Sequence, residues 1–471
     1  MELPILLAVV LCFLACLVII ARSYTRRARA QATIHQIRDT AIAHRALIEN
    51  ADDFANQPAS IFPGSLAVWR NGERNDNITT ANHGPHWRAL RCNLTAQILN
   101  PSSVASLAPL LHEAAQALVA DLSSRAAAGG EVAVRVPTNT ALFGLLTLLC
   151  FGDIVVDAQH RRAMGRVVRD YMYVVGELSP KFDGSMLSKL LNLRGFLQIS
   201  ALFNRQAELY RPLFAARRQS RSKVRGGVVH PYVDSLLDLR VLDGDVRRAL
   251  REGEMVGLVF EFLGAGTGTI ASCVEWTLAH LINEPEVQDR LHREIDDEAD
   301  GSSKSLRTMP YLNAVVMESL RMHPPVCFVL RGAFGKGAKA VLGGAIAATM
   351  PPDGLKVLFN LGDIGRDKAM WTDPDEFRPE RFLAGGEAED VGPLPAPKEI
   401  RMMPFGAGHR HCPGVGMGMM LIKCFLVALV REFEWAPSAK ECSGGVDMTE
   451  QNGFLKLMEK PLSARITRRV G

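Results

Sequence analysis

One cysteine lies in a glycine-rich loop late in the chain, between residues 405 and 414. The loop reads FGAGHRHCPG, with Cys412 as its cysteine and Arg410 two positions earlier. An apolar run from Val415 to Val430 follows and predicts a long helix. Cys412 would then lie at a helix N-terminus beside a cation, and both features favour a thiolate over a thiol. The chemistry that this loop indicates is ligation of a metal by a thiolate.

Two simpler interpretations of this loop have to be weighed. A lone cysteine is most often a small buried hydrophobe. His409, His411 and Cys412 together could instead indicate zinc. A zinc site takes four ligands at regular spacings, and the sequence contains no C-x-x-C or H-x-x-x-H pair. We favour a thiolate ligand because three further motifs agree with it.

The loop resembles the haem-binding loop of the cytochrome P-450 family, the haem-thiolate monooxygenases. That pattern is Phe-x-x-Gly-x-Arg-x-Cys-x-Gly, and it is matched here at Phe405, Gly408, Arg410, Cys412 and Gly414. The resemblance implies that Cys412 is the axial ligand of haem b, that Phe405 shields the sulfur, and that Arg410 pairs with a haem propionate. A thiolate ligand pushes electron density onto the iron and favours O–O cleavage.

A second motif is Trp87 and Arg91, which follow Gly84-Pro85, a pair typical of a helix start. Residues four apart share one face of a helix. The pair resembles the family's W-x-x-x-R motif, whose tryptophan and arginine reach the haem propionates. Taken alone, the same pattern is also typical of a stacked surface pair.

A third motif lies in the middle of a helix that we predict from Glu252 to Asn283. Interior glycines cost about 1 kcal/mol each relative to alanine, so the GAGTGT sequence suggests a planar cofactor close by and a local widening of the helix. The segment resembles the family's oxygen-binding groove at Ala265, Gly266 and Thr269, which implies that Thr269 hydrogen-bonds dioxygen. Gly268 stands where the family has an acid. That departure predicts weaker coupling of electron use to product.

A fourth motif joins three charged residues. Glu318 and Arg321 resemble the family's Glu-x-x-Arg pair, and Arg381, in the sequence FRPERF, resembles its third member. The resemblance implies a buried structural network that supports the haem loop. Arg331 lies in a segment that runs beside the haem in the family, where a basic residue meets a propionate.

The N-terminus predicts a membrane anchor. Leu3 to Ile20 is an uncharged apolar run, long enough to span a hydrocarbon core of about 30 Å. Arginines follow at positions 22, 26, 27 and 29, so the positive-inside rule places the rest of the chain in the cytoplasm. The alternative, a cleaved signal peptide, usually has a basic leader and a shorter apolar region. We therefore expect a transmembrane signal anchor at 1–21, a basic linker at 22–32, and a single-pass protein of the endoplasmic reticulum membrane.

The remainder, 33–471, is expected to form a cytochrome P-450 catalytic domain, mainly α with small β-sheets. The first strands of that fold look shortened or missing, because the sequence from Thr33 to Asn50 reads as a helix. We expect irregular strands from Gly332 to Pro352. Further helices are predicted at Pro285–Asp297 and Tyr311–Met322.

Composition limits the classes of function. The net charge of +4 gives no bulk electrostatic reason to expect a nucleic-acid partner. The nine cysteines are odd in number and irregularly spaced, which fits a reducing compartment and not a disulfide framework.

The resemblance implies monooxygenation of a lipophilic small molecule, with dioxygen and with electrons from NADPH delivered by NADPH-cytochrome P-450 reductase. Two segments, Arg401-Met402-Met403-Pro404 and Glu432-Phe433-Glu434-Trp435, look like those of land-plant microsomal members. Two alternatives remain open: a haem enzyme that rearranges a peroxide or dehydrates its substrate, and a catalytically impaired membrane-anchored remnant. Arg410 and Lys423 are candidates for docking the reductase. Candidates for the pocket wall are Phe260, Phe262, Val326 and Phe328.

Overall fold

The computed structural model describes residues 34–57, 75–152, 154, 156–178, 190–220, 230–297, 305–348, 350, 354–439 and 444–469. The predicted anchor, at 1–21, and the basic linker, at 22–32, lie outside these residues. Within the described ranges the chain is mainly helical, with small sheets, as the sequence predicts.

The helices share one pattern, in which apolar positions recur at helical spacing and face the core. Their bounds are α1 Thr40–His44, α2 Pro85–Gln97, α3 Pro101–Ser106, α4 Ala108–Gly129, α5 Arg135–Phe151, α6 Ala158–Leu178, α7 Leu193–Ser220, α8 Tyr232–Asp238, α9 Glu252–Asn283, α10 Pro285–Asp297, α11 Ser305–Thr308, α12 Pro310–Met322, α13 Gly335–Leu342, α14 Gly344–Ala348, α15 Leu361–Gly365 and α16 Val415–Glu432. A π-helix spans Arg45–Glu49, and 3-10 turns span Pro379–Phe382 and Gly408–Arg410.

The strands form two small sheets and a hairpin. Their bounds are β1 Ile34–Ile37, β2 Glu131–Ala133, β3 Arg240–Asp243, β4 Val246–Ala249, β5 Phe328–Ala333, β6 Leu355–Asn360, β7 Phe433–Pro437 and β8 Ser463–Arg468. One sheet has the order β1-β6-β5 and another the order β2-β8-β7, while β3 and β4 pair alone. In the first sheet β1 runs parallel to β6 and β5 runs antiparallel to it.

Helix α9 runs through the largest hydrophobic cluster, where it packs against α5, α16 and α12. It is long and apolar enough to cross a membrane, but 67% of its most apolar stretch is buried inside the protein. Trp276 and Leu263 on this helix are fully buried. Among the described helices, α9 is therefore the central core helix that carries the oxygen-groove motif into the protein.

The structure corrects two predictions of secondary structure. The predicted helix from Thr33 to Asn50 begins instead with strand β1, because Ile34–Ile37 pairs with β6. The helical part starts only after Asp39, whose carboxylate caps it by accepting the Ile42 N–H at 2.7 Å. The N-terminal part of the chain therefore contributes one strand, β1, to the sheet β1-β6-β5, where the first strands were expected to be shortened or missing.

The second correction concerns Gly332 to Pro352, where irregular strands were expected. After β5 ends at Ala333, the chain forms α13 and α14. Ala338 and Val341 are buried one helical turn apart, against the cluster that contains Phe359. Gly343 then ends α13 with a left-handed φ of 59°, which glycine adopts at little cost.

Candidate functional site

The cysteine loop turns sharply where its glycines require it. Gly406 and Gly408 have φ values of 73° and 68°, and a Cβ on Gly408 would come within 2.4 Å of the Leu47 carbonyl oxygen. The backbone N–H of Cys412 donates to the Phe405 carbonyl at 2.7 Å, which closes the loop. The predicted helix follows as α16. These contacts fix the sulfur of Cys412 just ahead of that helix.

The electrostatics of Cys412 differ in part from expectation. Burial raises the pKa of the Cys412 thiol, while a backbone hydrogen bond from Gly414 and the charge of Arg91 lower it. Arg91, and not Arg410, is thus the guanidinium that acts on the sulfur. In the absence of a metal, desolvation outweighs the favourable contacts, as it does for charged forms in dry surroundings generally.

Arg410 is turned inward and bound to backbone. Its guanidinium donates to the carbonyls of Ala55, Ile78 and Ala81, the last two at 3.1 and 2.5 Å. Burial lowers its pKa to about 10. The expectation that Arg410 docks a reductase at the protein surface is therefore wrong, because its charged end is committed inside the protein. Lys423 is also half-buried, within reach of the charge of Glu294.

Trp87 and Arg91 share one face of α2, as predicted. Trp87 is buried, and its indole N–H donates to the Ile78 carbonyl at 3.1 Å. The guanidinium carbons of Arg91 and Arg410 lie 5.5 and 5.1 Å from its ring centroid. The indole therefore lies near both cations, an arrangement that its ring quadrupole favours.

Arg331 carries an unbalanced charge inside the protein. It is 3% exposed, and its guanidinium donates to the carbonyls of Leu330 at 2.8 Å and Arg410 at 3.4 Å. Burial lowers its pKa to about 9, and the charge of Arg410 adds to the effect. Among the described residues, none of Arg91, Arg331 and Arg410 forms an ion pair with a carboxylate.

This donor set fits the cofactor that the sequence predicts. Buried charges are normally paired, and Arg91, Arg331 and Arg410 lie in or against the cysteine loop with no acidic partner bonded to them. A group that carries two carboxylates and a metal that takes a thiolate ligand would balance both features. Haem meets each of these requirements.

Helix α9 has an accessible face at residues 265–269. Ala265 is exposed and Thr269 half-buried, although the flanking residues Leu263 and Ile270 are buried. The Thr269 hydroxyl donates to the Ala265 carbonyl, one turn back. The helix is α-helical over its whole length, so the predicted local widening is wrong.

The glycines of this segment differ in what a Cβ atom at each position would contact. A Cβ on Gly266 would lie 2.7 Å from Cδ1 of Leu146 on α5, and one on Gly264 would lie 3.5 Å from Val168 on α6. Gly266 therefore permits close packing of α9 on α5, whereas a Cβ at Gly264 would make only ordinary van der Waals contact. A Cβ on Gly268 would meet Leu455 alone, with 3.2 Å to its terminal Cδ1.

The predicted pocket-wall residues fall into two groups. Phe260 packs on Tyr171, with ring centroids 4.6 Å apart, and Phe262 packs near Tyr232. Val326 and Phe328 are half-buried near a turn at 454–455, where Phe328 lies 5.6 Å from Phe454 and Val326 bridges to Leu455. Because Leu455 also lies over Gly268, this turn joins the accessible face of α9 to β5. No sequence motif marks Phe454 or Leu455, and we did not anticipate them.

No sequence motif marks a further residue of the site, the carboxylate of Glu261 on α9. Glu261 accepts hydrogen bonds from the N–H groups of Ile78 and Thr79 at 3.0 and 2.7 Å. Burial raises its pKa, and the Thr79 hydroxyl, these two amides and Arg410 lower it. Gly257 lies one turn before it and Gly253 two turns before it, and a Cβ at these positions would meet Asn77 and Asn75 respectively. Together these three positions form a docking strip for residues 75–79.

The structural network has the predicted membership. The Glu318 carboxylate accepts from Arg321 at 2.7 and 2.8 Å and from Arg381 at 3.2 Å, and all three residues are at most 3% exposed. Arg321 further donates to the carbonyls of Gly365 and Pro374 at 2.9 and 2.8 Å. This network ties α12 to the segment that leads to the cysteine loop.

Comparison with known proteins agrees with the site. A model of the family described as cytochrome P450 matches residues 27–463. Cytochrome P450 89A9 of Arabidopsis thaliana is 31% identical over 91% of this chain and 83% of its own length. Ent-cassadiene C11-alpha-hydroxylase 1 of Oryza sativa subsp. japonica is 30% identical over 81% and 74%. Flavonoid 3'-monooxygenase CYP75B137 of Crocosmia x crocosmiiflora is 27% identical over 90% and 81%. The chain is a member of the cytochrome P450 family and resembles its plant monooxygenases.

Proposed function

We propose that this chain is a haem-thiolate monooxygenase that inserts one oxygen atom of dioxygen into a lipophilic small molecule. Electrons would come from NADPH through NADPH-cytochrome P-450 reductase. The observation that carries the proposal is that Cys412 is grouped with three guanidiniums that form no ion pair with a carboxylate among the described residues. Arg410 lies in the same loop, Arg91 is bonded to His411, and Arg331 is bonded to the Arg410 carbonyl. Two of the similar proteins, an ent-cassadiene hydroxylase and a flavonoid monooxygenase, support a lipophilic substrate class.

Cys412 would bind the haem iron through its sulfur, and Phe405 would cover that sulfur from solvent. Trp87, Arg91, Arg331 and Arg410 would hold the two propionates, with Gly408 and Gly414 keeping the loop backbone narrow. Guanidiniums suit this role because their planar fork of donors matches a carboxylate. When bound, haem with a thiolate ligand supplies the activation of dioxygen.

On the opposite side, Ala265, Gly266, Gly268 and Thr269 would form the oxygen groove. Thr269 holds a proton on its Oγ1, and its present acceptor is the Ala265 carbonyl. Gly268 contributes no acid, so protons would reach Thr269 through ordered water, for which a glycine leaves room. Leu455 limits that room on one side.

Gly268 also favours a second candidate function. An enzyme that rearranges a peroxide or dehydrates its substrate needs no net delivery of protons to dioxygen. Independence from NADPH would identify this class. The third possibility, a catalytically impaired remnant, would be identified by a purified protein that is unstable or free of haem.

We further propose that residues 1–21 anchor the chain in the endoplasmic reticulum membrane, in contact with lipid, with the catalytic domain in the cytoplasm. The support is the sequence alone: a long apolar run with arginines directly after it. Protease protection of microsomes that contain the full chain tests this orientation, since a cytoplasmic domain is digested without detergent.

The test of the function is the difference spectrum of the dithionite-reduced full chain with and without carbon monoxide. We expect a strongly red-shifted Soret band, which reports a thiolate on the iron, and we expect Cys412→Ala to lose it. A band at the position of neutral-ligand haem in the wild-type chain would contradict the proposal. Product that depends on NADPH and reductase supports monooxygenation, and product formed from the natural substrate without them supports the second candidate.

A further inference from the structure

His411 stands directly before Cys412 and touches two parts of the site at once. It is half-buried. One ring nitrogen, Nδ1, lies 2.9 Å from the Gly408 carbonyl oxygen, within its own loop. The other, Nε2, lies 3.1 Å from the guanidinium Nη2 of Arg91, on helix α2. The imidazole thus bridges the cysteine loop and that helix.

The partners fix which nitrogen carries the hydrogen. A carbonyl oxygen only accepts, so Nδ1 carries the N–H and donates to Gly408. A guanidinium only donates, so Arg91 gives its N–H to the lone pair of Nε2. Both hydrogen-bonding sites of the neutral ring are therefore used, and the ring orientation is set at both ends.

Arg91 has few other constraints. Its guanidinium lies 5.5 Å from the Trp87 ring centroid, a contact that leaves rotation about its last bonds open. The described side chains provide it with no carboxylate in an ion pair. Its charge nevertheless acts on Cys412, and that of the cysteine acts on it. The position of this cation relative to the sulfur therefore depends on the bond to His411 and, when haem is bound, on the propionate that Arg91 would hold.

We propose that His411 is a positioning residue that holds the Arg91 guanidinium beside the Cys412 sulfur and so tunes how strongly the thiolate donates to the iron. The inference rests on the proposed haem-thiolate function. A fixed cation near the sulfur stabilises the more negative of two oxidation states. Reduction of ferric to ferrous haem adds one electron, so the held Arg91 raises the reduction potential.

The test uses two amide side chains that each copy one half of the ring. In His411→Asn the amide nitrogen takes the place of Nδ1 and keeps the Gly408 contact, but it does not reach Arg91. In His411→Gln the amide oxygen takes the place of Nε2 and accepts from Arg91. Both keep a polar, uncharged side chain of similar size, so they are matched controls for one another.

The measurement is the midpoint potential of the haem-loaded full chain in an equilibrium titration with reductant. We expect His411→Asn to shift it to a more negative value and His411→Gln to leave it close to wild type. Within an Arg91→Leu background, His411→Asn should add no further shift. The resonance Raman Fe–S stretching frequency should rise in His411→Asn, since the sulfur donates more strongly.

Two results would overturn the proposal. One is an unchanged potential in His411→Asn, and the other is an equal shift with Arg91 already replaced, which would make His411 act on its own. If His411→Asn binds no haem, the midpoint potential of His411→Leu is measured in its place, and the same two results would overturn the proposal. A wild-type chain with no red-shifted carbon monoxide band would instead refute the proposed function itself.

Discussion

Glu261 and Arg410 hold the same short piece of backbone from opposite sides. The carboxylate accepts the N–H groups of Ile78 and Thr79, and the guanidinium donates to the carbonyl of Ile78 at 3.1 Å and to that of Thr79 at 3.5 Å. The two side chains come from α9 and from the cysteine loop, so this backbone links the oxygen-groove helix to the loop that carries Cys412.

Replacement of Glu261 by Gln should loosen this link. An amide has one oxygen to offer in place of two, and its NH2 would face a backbone donor. A buried hydrogen bond to a charged group contributes about 1.5–3 kcal/mol, so we expect amide exchange at Ile78 and Thr79 to become roughly tenfold to a hundredfold faster.

Hydrogen–deuterium exchange with mass spectrometry measures this effect. Glu252→Gln, on the same helix, is the control, because its carboxylate lies at the surface in an ion pair with Arg211 and should leave residues 77–81 unchanged. Equal protection of Ile78 and Thr79 from exchange in wild type and Glu261→Gln would show that packing at Gly253 and Gly257 holds residues 75–79 without the Glu261 carboxylate.

Gly268→Asp should raise the amount of product formed per NADPH consumed. The new carboxylate would stand one residue before Thr269, where it can pass protons to the groove. There is room for it, since its Cβ meets only the terminal methyl of Leu455 at 3.2 Å. Gly268→Ala introduces the same contact without the acid, and it should leave the ratio near that of the wild type. An equal ratio in Asp and Ala variants would rule out a proton-delivery role for this position.

Glu318→Ala should prevent haem incorporation. Removal of this carboxylate leaves the buried Arg321 guanidinium without its anion and leaves Arg381 with Glu387 alone, and breaking such a buried pair costs about 3–5 kcal/mol. Glu380→Ala is the matched control: it also removes an arginine partner, Arg290, but both of its side chains are about half exposed. Surface pairs contribute about 0–1 kcal/mol. The reduced carbon monoxide band reports haem content, and a full band in Glu318→Ala would disprove the prediction.

Two buried histidines should make the fold sensitive to acid. His323 stacks on Trp276 at 3.8 Å and His280 on Phe377 at 4.1 Å. Burial lowers the pKa of His323 to about 4 and that of His280 well below its ordinary value. The unfolded chain binds these protons near pH 6.5. Stability from the neutral rings is therefore complete above pH 6.5 and is lost as the pH falls toward 4, by about 3 kcal/mol for His323.

His280→Phe should reduce the loss of folding stability at acid pH, because Phe keeps a flat ring against Phe377 and takes up no proton. The Nε2 of His280 has no partner among the described residues, so the change breaks no hydrogen bond at that atom. Apparent unfolding midpoints at pH 7, 6 and 5 measure the slope, with His112→Gln on the exposed face of α4 as control. The same slope in wild type and His280→Phe would exclude His280 as a source of the sensitivity.

The long helices and the charged network were predictable from the sequence, because their signals are local. Glu252–Asn283 and Pro285–Asp297 have the predicted bounds, since apolar periodicity and an acidic first turn mark each of them. Glu318, Arg321 and Arg381 could be named because the family pattern fixes their order. The structure shows the bonds that join them.

What the sequence did not predict depends on partners far away along the chain. Strand β1 has only four residues, and its strand character comes from pairing with β6, more than three hundred residues later. The inward turn of Arg410 is set by backbone carbonyls, which are present at every position and leave no sequence signal. Glu261 likewise serves amides, so no charged partner marks its role.

The pairing of Ile34–Ile37 with Leu355–Asn360 has a consequence for how the protein is made. A strand that leaves the ribosome first has no partner until some three hundred further residues have been synthesised. At about 5–20 residues per second this interval lasts on the order of tens of seconds. Its N–H and C=O groups are exposed throughout, and such an edge invites pairing with other chains.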